Sequence, residues 1–142
     1  MAGVRSVAFQ IYRVLIAGIA AACVVQLFLA GRGVFGIRGA AELGDQNSLD
    51  AHRALGNIIA IGTVLAFLLA LLMWNKRLIA WTFVLALLGE PVQHATATDE
   101  HPWVGGLHPV SGVAILGISA YLAHSAWAGR DKTASAPAAA DS

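Results

Sequence analysis

The chain has 142 residues, 58% of them hydrophobic and 12% charged, with a mean hydropathy of +0.70 and a formal net charge of +1. Soluble domains usually carry about twice that charged fraction, so this composition excludes an ordinary soluble domain. No basic block points to nucleic acid, and the single Cys23 excludes an internal disulfide and reads as a small packed residue.

Four long apolar runs predict an all-α integral membrane protein, a bundle of four transmembrane helices. The first run, Val14–Ala30, follows Tyr12 and Arg13. Its basic flank and small residues have the look of a signal peptide. The run is long for one, however, and the following "GRGVFGIRG" is a poor cleavage site, so it reads as the first helix. The second run is Ala54–Trp74; the third starts at Leu78 and turns polar near Glu90; the fourth is Val110–Trp127. Each approaches the roughly 20 residues that a helix needs to span a hydrocarbon core. The runs do not alternate in polarity and are rich in Ala and Leu, which rules out membrane strands. Pro91 is expected to kink or loosen the end of the third helix, because it removes a backbone donor.

The connections carry the orientation signal. Arg5 and Arg13 precede the first helix, the hairpin "NKR" at Asn75–Arg77 is basic, and Arg130 and Lys132 follow the fourth helix. The loop Gly31–Asp50 mixes both signs, and the loop Thr96–Gly106 holds Asp99 and Glu100 but no Lys or Arg. The positive-inside rule then places both termini and the hairpin in the cytoplasm of a bacterial cell, with the chain in its cytoplasmic membrane. Trp74, Trp81, Trp103 and Trp127 fall near run ends, as an interfacial aromatic belt requires. Residues 1–128 form one transmembrane domain in this reading, and residues 129–142, ending "TASAPAAADS", a disordered cytoplasmic tail.

This topology gathers polar residues at one depth. His52 in "AHRALGN" opens the second helix and His108 in "LHPVSGV" opens the fourth. Gln93 and His94 close the third, and Gln26 lies one turn before the end of the first. Polar groups in a membrane bundle are costly and normally face inward toward partners. Each of the two histidines has a glycine at i+4, Gly56 and Gly112, on the same helix face. Bare backbone there leaves clearance for a flat macrocycle ligated by an imidazole. The bland alternatives are histidines idle in the headgroup region and glycines serving close helix–helix contact. A weak repeat supports pairing. "QLFLAG" ends the first helix and "QHATA" the third, and each is followed by a loop and a helix opening with His-x-x-x-Gly. Two parallel hairpin copies about an axis along the membrane normal would set His52 opposite His108, able to clasp a heme iron.

Other groups have weaker assignments. A zinc site would need three or four ligands, for which His94 and His101 are the candidates, with His101 in the loop "TDEHPW". Arg53 could neutralise a heme propionate or reach the lipid headgroups. Glu90 could bridge to Arg53 or Arg32, orient an imidazole, carry protons in a small proton-coupled transporter, or simply pair at the interface. His124 reads as interfacial, and Asn57 as a packing hydrogen bond.

The order "QLFLAG", "LDAHRALG" and "LHPVSG" resembles a family of small four-helix bacterial membrane proteins over nearly the whole chain before the tail, a likeness that implies a fold and no activity. More distantly, it resembles one four-helix half of heme A synthase, which places heme-ligating histidines near the outer ends of alternate helices. That resemblance implies His52 and His108 as axial ligands, with Gln93, Gly31 and Arg53 lining the site. The synthase has a catalytic acid about one turn before such a histidine. Here Ser48 and Leu49 stand at that spacing and Asp50 is only two residues away, so synthase activity does not follow. The leading expectation is a b-type heme protein for electron transfer, with a quinone or respiratory complex as partner and homo-oligomers open to it. The alternatives are a cofactor-free accessory membrane subunit and the Glu90 transporter.

Overall fold

The computed structural model describes residues 2–40, 49–98 and 100–134. The described residues are helical throughout, with no strand among them. Helix α1 is Ala2–Ala40, α2 is Asp50–Met73 and α3 is Lys76–Leu87. A π-helical turn, Leu88–Val92, joins α3 to the short α4, Gln93–Thr96. One turn of helix, α5, Pro102–Gly105, then leads into α6, Leu107–Ala134. Four segments are long and apolar enough to cross a membrane: Gly3–Phe35, Asp50–Met73, Lys76–Thr96 and Pro102–Ala128.

The helices run past the apolar runs that announce them. Helix α1 contains no proline, so nothing in its backbone stops it where the hydrophobic stretch ends. Ten residues assigned to the first loop therefore belong to α1, and Gln26 sits in the middle of that helix rather than near its end. Pro109 is the third residue of α6, in the first turn, where its missing N–H has no helical partner to lose. At the far end α6 continues through Ala134, six residues into the segment assigned to the tail. The rest of the tail, 135–142, and loop residues 41–48, Ser48 included, lie outside the described residues.

Pro91 does loosen the third span. It offers no N–H to the carbonyl one turn back, and the backbone widens into the π turn rather than breaking. One extra residue in a turn rotates everything after it by ~100° about the helix axis. Gln93 takes its direction from that rotation.

Helix α1 packs between α2 and α6, and α3 with its π turn packs between the same two. The bundle is thus a square in which α2 and α6 stand at opposite corners. Its core is Tyr12, Ile16, Ile19 and Cys23 of α1, Ile59 and Ala66 of α2, Leu85 of α3, and Ile115, Leu122 and Ala126 of α6. Small residues bring the helices close: a side chain at Gly89 would meet the Thr63 hydroxyl oxygen at 2.6 Å, and one at Gly62 would meet Ile19 at 3.3 Å. The buried hydroxyls of Thr63, Thr82 and Ser119 donate to carbonyls of their own helices, at Ala60, Leu78 and Leu116. Large apolar side chains face outward instead, among them Phe28, Phe35, Ile58, Val110 and Val113. A bundle with close helix contacts at small residues and an apolar exterior suits a hydrocarbon surround.

The α2–α3 hairpin turns on Trp74, which has a positive φ of 55° and donates its N–H to the Leu71 carbonyl. A bulky residue rarely adopts that conformation. The Asn75 side chain then caps α3, accepting from the N–H groups of Arg77 at 3.1 Å and Leu78 at 3.2 Å.

Candidate paired-histidine site

His52 is the third residue of α2 and His108 the second of α6. Both rings are half-buried and face each other across the diagonal of the square, with ring centroids 6.2 Å apart and planes inclined by 60°. Two imidazoles bound on opposite sides of one metal ion have centroids ~6 Å apart, from two bonds of ~2 Å and ~1 Å from each donor nitrogen to its ring centre. The observed spacing matches that distance.

Each histidine is held by a glutamine from a neighbouring helix. Gln26 of α1 donates its amide N–H to the His52 carbonyl at 2.8 Å, and Gln93 of α4 donates to the His108 carbonyl at 3.3 Å. The glycines explain how this is possible. The carbonyl of residue i points toward residue i+4, and glycine there leaves it uncovered from the side. A side chain at Gly56 would lie 3.1 Å from the Gln26 amide nitrogen, and one at Gly112 would lie 3.5 Å from that of Gln93. This gives Gly56 and Gly112 a role in the bundle itself, beside the one expected from their spacing. The atoms nearest to where their side chains would stand are the two glutamine amide nitrogens, so each glycine admits a glutamine to the histidine carbonyl.

The two halves part company at the rings. His108 Nδ1 lies 3.2 Å from the Gln93 carbonyl, to which it donates in the tautomer that leaves Nε2 without a hydrogen. Ser111 donates to the His108 carbonyl at 2.9 Å, doubling the support from Gln93. His52 Nδ1 is buried with no hydrogen-bond partner, and the Gln26 amide oxygen is likewise unpartnered among the described residues.

The remaining candidates lie apart from this pair. Arg53 is exposed and pairs with Asp50 at 3.1 Å. Glu90 bridges to neither Arg53 nor Arg32. Its carboxylate lies 3.7 Å from His94, one turn on, and both side chains are more than half exposed. His94 Nδ1 also meets the Glu90 backbone carbonyl at 2.8 Å, which engages the ring within its own turn. His101 is the exposed residue just before α5, whose single turn takes up the end of the expected loop. Gly31 lies within α1, with open space where a side chain would be. His124 and Asn57 face outward. Among the described residues no three His, Cys, Asp or Glu side chains gather as metal ligands.

Two imidazoles are too few to complete the shell of a bare zinc ion. No family model, curated protein or solved structure matches the chain.

Proposed function

We propose that this chain is a b-type heme protein of the bacterial cytoplasmic membrane, with His52 and His108 as axial ligands. Both termini and the basic Asn75–Arg77 hairpin lie in the cytoplasm in this reading, and the histidine end lies near the outer face. The observation that carries the proposal is the 6.2 Å separation of two inward-facing imidazoles on diagonal helices. The bond from His108 Nδ1 to a backbone carbonyl supports it, since a ligating histidine is commonly oriented in this way. Arg53, on the turn that carries His52, is placed to exchange its exposed Asp50 contact for a propionate.

Heme bound here would supply reversible one-electron transfer, with a quinone or a respiratory complex as partner. The protein's part is to hold two imidazoles at fixed depth through the glutamine bonds and to exclude water with the apolar bundle. Expression with ample heme is expected to give a protein with a Soret band. His52→Ala and His108→Ala should each remove or broaden that band while leaving the helical circular dichroism in place. A colourless wild-type protein would sink the proposal.

One observation favours a second reading, a cofactor-free accessory membrane subunit. The glycines admit glutamine amides to the histidine carbonyls, and a centroid distance of 6.2 Å is also ordinary for two packed aromatic rings. In that case both histidine variants stay folded, bind partners and show no spectral difference from wild type.

A further inference from the structure

At the opposite end of the bundle lies a cavity of about 350 Å³, between the N-terminal part of α1, the start of α3 and the last turns of α6. Its walls are apolar, with Phe9, Leu78 and Leu122 among them, and its polar groups are Tyr12, Asn75, Arg77, Tyr121 and Ser125. Among the described residues no carboxylate lines it and Arg77 has no carboxylate partner. The Arg77 guanidinium instead donates to the Tyr121 hydroxyl and sits 6.0 Å from the centre of that ring. Tyr12 is wholly buried, yet its hydroxyl has no hydrogen-bond partner among the described residues. An unpartnered hydroxyl and a cation without a carboxylate partner thus line one cavity, a mismatch that an anionic acceptor would resolve.

We infer that this cavity seats the phosphate headgroup of an acidic phospholipid, with Arg77 and the Tyr12 hydroxyl as donors to it. The inference rests on the membrane-spanning part of the reading above and is independent of heme. Three features favour a lipid over a free phosphate. Trp81 and Tyr121, with rings 5.8 Å apart, stand at the cavity as an interfacial aromatic pair does. The apolar walls suit the glycerol and upper acyl carbons. The site also lies at the basic hairpin, where pockets between helices hold acidic headgroups.

The test is native mass spectrometry of the full chain, extracted from membranes in detergent and titrated with phosphatidylglycerol or phosphatidylcholine. Wild type should retain phosphatidylglycerol over phosphatidylcholine. Arg77→Gln and Tyr12→Phe should each reduce phosphatidylglycerol retention roughly fivefold, as expected for one lost cationic contact or one lost hydrogen bond to its phosphate. Tyr12→Phe keeps the buried ring and so should not unfold the bundle. The preference should survive His52→Ala, and the Soret band should survive Tyr12→Phe, which separates this site from the heme reading. Equal retention of the two lipids overturns the site, as does phosphatidylglycerol retention that neither variant alters. A loss in Arg77→Gln alone also overturns it, leaving ordinary surface charge. Displacement of the lipid by an equal concentration of glycerol phosphate replaces the lipid with a soluble phosphate. A chain recovered in the soluble fraction overturns the membrane reading, and this site with it.

Discussion

The two halves of the bundle solve one problem in the same way and finish it differently. In α1–α2, Gln26 reaches the His52 carbonyl over Gly56; in α3–α6, Gln93 reaches the His108 carbonyl over Gly112. Only the second half also gives its imidazole a backbone acceptor. The cause is where each glutamine sits in its helix. Gln26 lies in the middle of α1, so its carbonyl belongs to the helix ladder. Gln93 follows the π turn in the last turn of its span, and its carbonyl is shared: it accepts the Ala97 N–H at 3.1 Å and the Thr96 hydroxyl at 3.3 Å, and still faces His108 Nδ1 at 3.2 Å. An internal repeat can thus share a scaffold while one copy has its ring oriented by the protein and the other keeps a nitrogen unpartnered.

Substitutions at the glycines test whether close approach holds the halves together. Gly89→Ala should be the most damaging, about 2–3 kcal/mol, because the new methyl would press on the Thr63 side chain at 2.6 Å. Its effect is readable as a lower melting temperature in detergent. Gly56→Ala should cost about 1–2 kcal/mol by displacing the Gln26 amide, 3.1 Å from the added carbon. Gly112→Ala, with its nearest neighbour at 3.5 Å, should change stability by less than about 0.5 kcal/mol, since helix propensity offsets the contact. Equal effects at positions 56 and 112 would erase the asymmetry argued here.

The glutamines should follow the same order. Gln26→Ala removes the side-chain donor to the His52 carbonyl and should cost about 1 kcal/mol. Gln93→Ala should cost about half as much, because Ser111 still donates to the His108 carbonyl. Denaturation of the two variants side by side decides it. Smallest of all, Arg53→Gln should alter stability by less than about 0.5 kcal/mol, the usual worth of an exposed ion pair. Any larger stability loss would mean that Arg53 is engaged beyond its Asp50 contact.

Much of the frame was legible in the residues. The four apolar runs, the helix-opening positions of His52 and His108, and the loosening at Pro91 all follow from hydropathy and backbone chemistry. Helix ends were less legible: polar residues after Ala30 carry no stop signal strong enough to mark where α1 ends. The His-x-x-x-Gly spacing was visible, but not its occupant, because a glycine at i+4 clears space without saying what enters. The repeat did contain the clue, since it aligns Gln26 with Gln93. The unpartnered Tyr12 hydroxyl was not readable from sequence at all. Its isolation arises from how three helices converge at the far end.

The most direct test of the central claim is a heme titration of the purified wild-type chain beside the His52→Ala/His108→Ala double variant, followed by visible absorption. The account predicts saturation at one heme per chain with a six-coordinate low-spin spectrum for wild type and no such species for the variant. Identical spectra from the two proteins, or no binding by wild type, would contradict it.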